Sequence, residues 1–544
     1  MKLVKNAGKP IPNLERSALS SDQIHNLENR YKRTRHDFEM WYVDWELLDA
    51  FKEVWTRNGH LDWINELRKS AKDITLTKRF YHEQATNENL EHYFDSSIER
   101  PDRRWNINFR VAHALLRKSM NIQKLVPITL SKSMDVSKIW TNKNASAGAI
   151  GRGTKEDNEE LCLEAAFKLK TMIGDGVPFN EIWIPAVAFH RAQLSNLTTT
   201  EGNQTVYSGA AKMKDRFIWG LDGGTVTVEA QYAKPVIDHL KDNWFGYSGG
   251  DTPVQLRSKI KKAKRQKYWI SADYSKFDQT VQSWVIEDAF SIIKEFYDPI
   301  YHKELDWICY NFINTWVCYS GGNLVQKHRG IPSGSNFTQV IGSMANALMM
   351  LTYLSSRAPG DSFNEKLSYV EKELNVASPV VGDSGELSMF VMGDDNLTMT
   401  YHKLDVMDLS KYVHRVFGTT IHPDKTVQGG VQDQPHYLKR DWLDHCEYRN
   451  PVEMAINVCH PERERTYDGY SCWHIMYGLF LTYSGSFDSS VSHDFFIKKM
   501  EEFGGIERLR SLKPSDLPGS LRALGHNAGE YLYHHAKAVL AEAS

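Results

Sequence analysis

Hydrophobic and polar positions change period several times along the chain, and each change marks an element. In the first 120 residues Phe38, Trp41, Trp45, Leu48 and Trp55 recur at three- and four-residue steps, the repeat of one helix face, and Asn58-Gly59 supplies a C-terminal stop. An aromatic stripe of this kind reads as buried core rather than as a ligand site. Residues 141–155, TNKNASAGAIGRGTK, are rich in Gly and Ser and predict a loop. From 181 to 235 short apolar runs broken by Gly predict strands and turns, and VTVEAQ (226–231) alternates as a strand does. The run 268–272 predicts a strand that ends at Asp273. Residues 337–354 predict a long apolar helix entered from the loop 330–334. Two further strands, 387–392 and 397–401, flank Gly393-Asp394-Asp395-Asn396, which suits a tight hairpin turn. GEYLYHHAKAVLAEA (529–543) predicts a terminal helix. No repeat of fixed period is visible, which argues against a solenoid.

Composition narrows the class. At roughly 100–200 residues per domain, 544 residues leave room for about three or four units. Hydrophobic residues at 41% and charged residues at 25% exclude a disordered chain. No apolar run reaches the roughly 18 residues that a membrane-crossing helix needs, and MKLVKNAGKPIPNLERS lacks the apolar core of a signal peptide. The six cysteines are scattered without a CxxC pair, so a reduced, cytoplasmic setting is expected. His445-Cys446, Cys459-His460 and Cys472-Trp473-His474 match no familiar zinc spacing. A formal net charge of −2 neither requires nor excludes nucleic acid, because a protein can line a channel with positive charge and keep a neutral exterior. Lys259, Lys261, Lys262, Lys264, Arg265 and Lys267 form a dense basic run that suits either RNA backbone or a solvated face.

The chemistry concentrates in the middle third. Adjacent carboxylates at Asp394 and Asp395 repel each other, and a divalent cation would relieve that repulsion; all-oxygen ligation selects hard ions such as Mg²⁺ or Mn²⁺. A Gly-Asp-Asp triplet arises by chance in roughly one chain of this length in ten, so it needs company. Asp273 provides it. If it sits on a strand beside Asp394, the carboxylates can face a pair of ions about 3.5–4 Å apart, the arrangement of two-metal phosphoryl transfer. Asp278 follows in DYSKFD. Third is PSGSNFTQ (332–339), where Gly334 allows close backbone approach and the Ser333 and Thr338 hydroxyls can meet a sugar or phosphate, although an N-capped helix would look the same.

DYSKFD, PSGSNFT and MGDDN, in this order and about sixty residues apart, resemble motifs A, B and C of viral RNA-dependent RNA polymerases. The chain, with stretches such as GIPSGSNFTQVIGSMAN, most resembles picobirnavirus polymerases, then those of partitiviruses. The resemblance implies an α+β, closed right hand of fingers, palm and thumb, with an antiparallel palm sheet flanked by helices. The implied partition is 1–120 as a helical extension bridging fingers and thumb, 121–270 as fingers, 271–440 as palm with a fingers insertion near 295–330, and 441–544 as thumb and C-terminal segment. It implies template-directed RNA synthesis with two Mg²⁺ or Mn²⁺ ions held by Asp273, Asp394 and Asp395. Nucleotide contacts fall on Lys212, Lys214 and Arg216 of a motif F counterpart, and on Asp278, Ser333, Gly334 and Thr338. Lys425, in a stretch similar to motif D, becomes the proton donor to pyrophosphate. Ser146 and Gly148 resemble the template loop, motif G, and Lys439 and Arg440 belong to a motif E-like hairpin, both meeting RNA. Many relatives carry Asn four residues after the motif B Thr; here that position is Gly342, with Asn336 and Asn346 out of step. The implied partners are RNA template and product, nucleoside triphosphates and a viral capsid protein, with no membrane, and the implied place is the host cytoplasm within the particle of a double-stranded RNA virus. A reverse transcriptase would share the palm but needs a bulky residue at position 278. A non-enzymatic RNA-binding capsid component would not need three carboxylates at this spacing.

Overall fold

The protein is represented by a computed structural model that describes residues 17–31, 38–80, 91–100, 103–136, 139–140, 142–201, 204–263, 266–319, 323–374, 386–462, 464–489, 491–512 and 528–543. The N-terminal stretch 1–16, and Lys264 and Arg265 of the basic run, lie outside the described residues.

Strand β1 (Phe38–Met40) pairs antiparallel with β2 (Lys78–Phe80), and between them run helices α1 (Trp45–Arg57) and α2 (Leu61–Ile74). The helical reading of 38–55 therefore holds only from Trp45. Asp44 stops it there: in an extended conformation, it accepts a hydrogen bond from the Leu47 N–H (3.1 Å) and caps α1. Asn58 closes α1, and Gly59 follows at φ +74°. The stripe is core where it faces inward, at Trp41, Leu48 and Trp55, whereas Trp45 is 54% exposed.

A second correction concerns VTVEAQ. Residues 226–231 lie inside a long helix, α4 (Gly223–Asn243), which follows α3 (Arg103–Ser119) in chain order. The Asp222 carboxylate caps α4 by accepting from the Thr225 N–H at 2.8 Å, and every residue from Gly223 to Ala233 is buried. A helix buried on all sides needs no polar face, so the alternation of Val and Thr carried no information about period. The strand reading holds just before it, where β3 (Ala186–Ser195) and β4 (Lys212–Gly220) pair antiparallel. These join β6 (Trp316–Tyr319) and β7 (Asn323–Gln326) in a four-stranded sheet ordered β7-β6-β3-β4.

The second four-stranded sheet carries the acidic motifs. Its strands are β5 (Tyr268–Ser271), β8 (Met389–Met392), β9 (Asp395–Thr400) and β10 (Val427–Gly430), ordered β8-β9-β5-β10 and antiparallel throughout. Helix α6 (Thr338–Ser356) packs on it, between β8 and α3, and is buried along nearly its whole length. Helix α5 (Pro253–Ala263) carries the first half of the basic run. Three of its charges are spent in ion pairs, Lys259 with Asp251 (2.9 Å), Lys262 with Glu386 and Arg257 with Glu447 (3.2 Å). Lys267 lies over the Tyr401 ring at 4.0 Å.

Two large apolar cores result. One surrounds α3, α4 and α6. The other joins α1 and α2 to the C-terminal helices α7 (Pro451–Cys459), α8 (Cys472–Thr482), α9 (His493–Glu501) and α10 (Ala528–Ala543), and takes in Ala192, Leu197 and Tyr207 from the β3–β4 region. Residues between Trp41 and Ile74 therefore pack against the C-terminal helices. No described helix is long and apolar enough to cross a membrane.

Candidate active site

Asp273, Asp394 and Asp395 are brought to one end of the sheet, on its two central strands, by register. Met392 pairs with Asp395, so Gly393 and Asp394 form a two-residue hairpin turn, and Gly393 takes φ +66°, a value that costs glycine nothing. Continuing the pairing Thr398↔Ile270 along both strands sets Asp395 opposite Asp273. Beyond the end of β5 a side chain takes over the ladder. Asn396 accepts from the Ala272 N–H and donates to the Ala272 carbonyl, both at 3.2 Å, while the Ser271 hydroxyl donates to the Asn396 carbonyl at 2.8 Å.

The turn is held from below by α6. Asn346 Nδ2 donates to the carbonyls of Gly393 (3.0 Å) and Asp394 (2.9 Å), and the Ser343 hydroxyl accepts from the Gly393 N–H (2.9 Å). A Cβ on Gly342 would lie 3.3 Å from the Gly393 Cα. Glycine at this position therefore lets the turn rest directly on the helix. Asn346, out of step for reading a sugar, braces the acidic turn instead.

The carboxylates lie within electrostatic reach of one another. Asp395, half-buried, is pushed up to about 6, first by burial and then by the neighbouring Asp394 charge; Lys439 and His436 oppose the shift and Asp273 adds to it. Asp273 and Asp394 are exposed. Asp273 is clamped through its backbone: its N–H donates to Thr426 Oγ1 (3.2 Å) and its carbonyl accepts from the His422 N–H (2.8 Å). That clamp carries Lys425 to the same end.

Basic residues converge opposite. The Lys214 ammonium is held below its usual range first by desolvation, then by Arg216, Lys425 and Lys439, with Asp273 acting in the other direction. Three separate chain segments thus bring cations together where the acids stand. Lys439 reaches it from the tight turn between β11 (His436–Tyr437) and β12 (Arg440–Trp442), at φ +58°. Lys212, at the far end of β4, is not among these charges. Arg440 is 6% exposed, with its guanidinium over the Trp442 and Tyr483 rings at 5.5 and 4.9 Å. Protein covers it, so the expected RNA contact is not available to it.

Asp278 lies beyond Asp273 on a short helical turn. Its side chain opens to solvent, yet the walls around it are close enough that desolvation raises its pKa; Asp394 raises it further, and Tyr93 and Arg216 oppose. Across from it stands the 332–339 loop. The Trp219 N–H donates to Ser333 Oγ at 3.0 Å, so this hydroxyl keeps its own proton for another acceptor. A Cβ on Gly334 would collide with the Trp219 carbonyl oxygen, which only glycine avoids. Thr338 spends its proton within the loop, on the Pro332 (2.6 Å) and Ser335 (2.7 Å) carbonyls. Glu229 of α4 anchors the loop from behind: it accepts from Ser335 Oγ at 2.9 Å and from the Asn336 N–H at 2.8 Å, and burial pushes it up to about 7. Ser146 and Gly148 belong to a loop seated at the start of α4, where Gly223 N–H donates to the Ala147 carbonyl (3.1 Å).

Tyr93 and Glu229 were not legible as site residues, because they act from segments far away in sequence. Asn346, Asn396 and Thr426 lie in or beside the motifs, yet their bracing roles depend on partners the sequence does not show.

A sequence model described as viral RNA-dependent RNA polymerase matches residues 84–455. A 152-residue stretch is 33% identical to the RNA-directed RNA polymerase of Cryptosporidium parvum virus 1 (strain KSU-1), covering 27% of this chain and 28% of that protein. A 91-residue stretch is 34% identical to genome polyprotein 1 of Barley mild mosaic virus (strain Na1), covering 17% of this chain and 4% of that one. The matched stretches thus span 28% and 4% of these two curated relatives. The crystal structure of the RNA-dependent RNA polymerase of a human picobirnavirus superposes with a TM-score of 0.66 over 98% of this chain and 100% of that one, at 12% identity, a likeness of fold. A right-hand polymerase fold, the acidic hairpin on its sheet and a family match over residues 84–455 agree: the chain belongs to the viral RNA-dependent RNA polymerase family.

Proposed function

We propose that the chain synthesises RNA on an RNA template by nucleotidyl transfer, for replication and transcription of a double-stranded RNA virus genome. The observation that carries this reading is the meeting of Asp273, Asp394 and Asp395 at one end of the sheet with Lys214, Lys425 and Lys439 around them. The sheet β8-β9-β5-β10 serves as the palm, which therefore takes in β5 from Tyr268 as well as 271–440. The rest of 121–270 and an insertion near 295–330 act as fingers, 441–544 as thumb, and 1–120 as the bridge between them.

Among the described residues no three His, Cys, Asp or Glu side chains close on one point as a finished metal cage. The acidic end of the sheet suits Mg²⁺ or Mn²⁺ in the manner of nucleotide enzymes, where one or two carboxylates hold each ion and substrate phosphates and water complete its shell. Asp273 and Asp394 would hold the ions, with Asp395 at their margin. When bound, two such ions activate the attacking hydroxyl and carry charge on the departing pyrophosphate.

The chain's own residues do the rest. The Arg216 fork and Lys214 receive the triphosphate, for which a planar guanidinium matches phosphate oxygens in pairs. Lys425 hands a proton to the leaving pyrophosphate oxygen. Asp278 accepts a hydrogen bond from the ribose hydroxyl, and Ser333 can donate beside it. Lys439 meets the RNA backbone, and Ser146 and Gly148 guide the template. A capsid protein is the expected partner, and the host cytoplasm, inside the particle, the expected place.

The test is incorporation of labelled ribonucleotide on a defined RNA template, with and without a chelator. Asp394→Ala should reduce it by at least about 10²–10³-fold, the effect of removing a transition-state stabiliser. Synthesis that survives both the substitution and chelation would overturn the reading.

A further inference from the structure

Tyr93 sits in a short helical turn (Glu91–Phe94), nearly two hundred residues from the acids it approaches. Its ring is 1% exposed. Its hydroxyl donates to Asp278 Oδ2 at 2.7 Å, leaving the other carboxylate oxygen of a solvent-accessible side chain without a second side-chain donor among the described residues. The ring meets the edge of Trp219 with centroids 5.0 Å apart and planes at 75°, and Trp219 is the residue whose N–H donates to Ser333 Oγ. One phenol therefore touches Asp278 directly and Ser333 through a single residue. These two flank the place proposed for the ribose.

The segment around Tyr93 is tied on both sides of Asp278. Arg329 donates through Nε to the His92 carbonyl and through Nη2 to Asp95, both at 2.7 Å, and the His328 N–H donates to the Tyr93 carbonyl at 3.0 Å. On the other flank the Ile98 N–H donates to Gln282 Oε1 (2.8 Å) and the Ser283 N–H to Ser97 Oγ (3.0 Å). Gly330 passes so close, at φ +80°, that a Cβ there would lie 2.6 Å from the Asp278 carbonyl oxygen and 2.7 Å from the Tyr93 ring. The phenol is thus fixed relative to Asp278 by backbone on either side of it.

We propose that Tyr93 is a positioning residue for sugar selection, orienting the Asp278 carboxylate so that its other oxygen receives the ribose 2′-hydroxyl. The inference rests on the polymerase reading and on Asp278 facing the sugar. Tyr93 does not itself touch the nucleotide. A second effect works in the same direction: donation from the phenol favours the ionised carboxylate, the form that accepts, against the burial that disfavours it.

The experiment compares kcat/KM for UTP and dUTP, and for ATP and dATP, in the wild type, Tyr93→Phe, Asp278→Ala and the double variant. Tyr93→Phe keeps the ring and its Trp219 contact and removes only the donor. Its ribose-over-deoxyribose ratio should fall about tenfold, the worth of a hydrogen bond to a charged group, mainly through the ribonucleotide. The double variant should match Asp278→Ala, because Tyr93 acts through that carboxylate. A wild-type ratio in Tyr93→Phe, or a further loss on adding Tyr93→Phe to Asp278→Ala, overturns the inference and leaves Tyr93 as packing. An unchanged ratio in Asp278→Ala overturns it together with the reading of Asp278. Absence of any templated synthesis by the wild type would instead fail the polymerase reading.

Discussion

Arg216 and Lys425 stand in the same field of charge yet should fail in different ways. Arg216 offers a fork to phosphates, so Arg216→Ala should raise the nucleotide KM or lower kcat, with RNA affinity little changed. Lys425 has its backbone beside the Asp273 clamp and its charge facing Lys214. As general acid, it should cost about 10²–10⁴-fold in the chemical step when replaced by Ala, with nucleotide affinity nearly intact. Single-turnover kinetics beside nucleotide titration separate the two. A normal single-turnover rate for Lys425→Ala would return that lysine to an ordinary surface role. At this scale the sequence was informative wherever a residue acts through its own chemistry. Asp273 and Asp394 stand exposed, the first at the end of a strand and the second in the hairpin turn, as the sequence reading had them. It was uninformative for Tyr93, whose value lies in its partner rather than its type.

Among the elements, the loop 332–339 depends on a buried acid. Glu229 sits in α4 with Asp222 adding to its burden and Lys155 relieving it, and its pKa stands at about 7 against an ordinary 4.5. The folded state therefore binds more protons than the unfolded chain between those values, and stability falls as pH rises from about 4.5 through 7, by about 3 kcal/mol at most. Glu229→Gln removes the titration. Its melting temperature, relative to wild type, should climb between pH 5 and pH 8. Parallel curves would mean that the carboxyl is solvated well enough to ionise freely. The same helix shows where pattern reading fails. VTVEAQ alternates, but a capped segment with all its neighbours buried can satisfy its backbone only as a helix when no strand is available to pair with it. The basic run shows a related limit: Lys259 and Lys262 are already paired with acids from other segments, so density of charge did not predict free charge.

Across the whole molecule, Asp44 joins the segment that opens α1 to residues 458–467, far away in sequence. Its carboxylate caps α1, accepts from Arg465 Nη1 at 2.6 Å and from the Tyr467 hydroxyl at 2.7 Å, and its N–H donates to the Cys459 carbonyl at 2.8 Å. Both Asp44 and Arg465 are buried. Asp44→Ala leaves that guanidinium without its carboxylate and should cost about 3–5 kcal/mol, seen as a lower midpoint in denaturant. A change under about 1 kcal/mol would show that the junction is held by its apolar residues alone. Local causes made several elements legible from residues alone: a hairpin turn within 393–396, the apolar helix that follows the 330–334 loop, the strand that delivers Asp273, and with them the family. Tertiary structure decided what local pattern cannot contain. It made 226–231 helical, covered Arg440 with aromatic rings, spent Lys259 and Lys262 in ion pairs, and brought Tyr93 and Glu229 to a site they do not border in sequence. The physical reason is one of range. Backbone geometry and side-chain alternation are set by neighbours a few residues away, whereas burial, ion pairing and hydrogen-bond partnership depend on which distant segments share a surface.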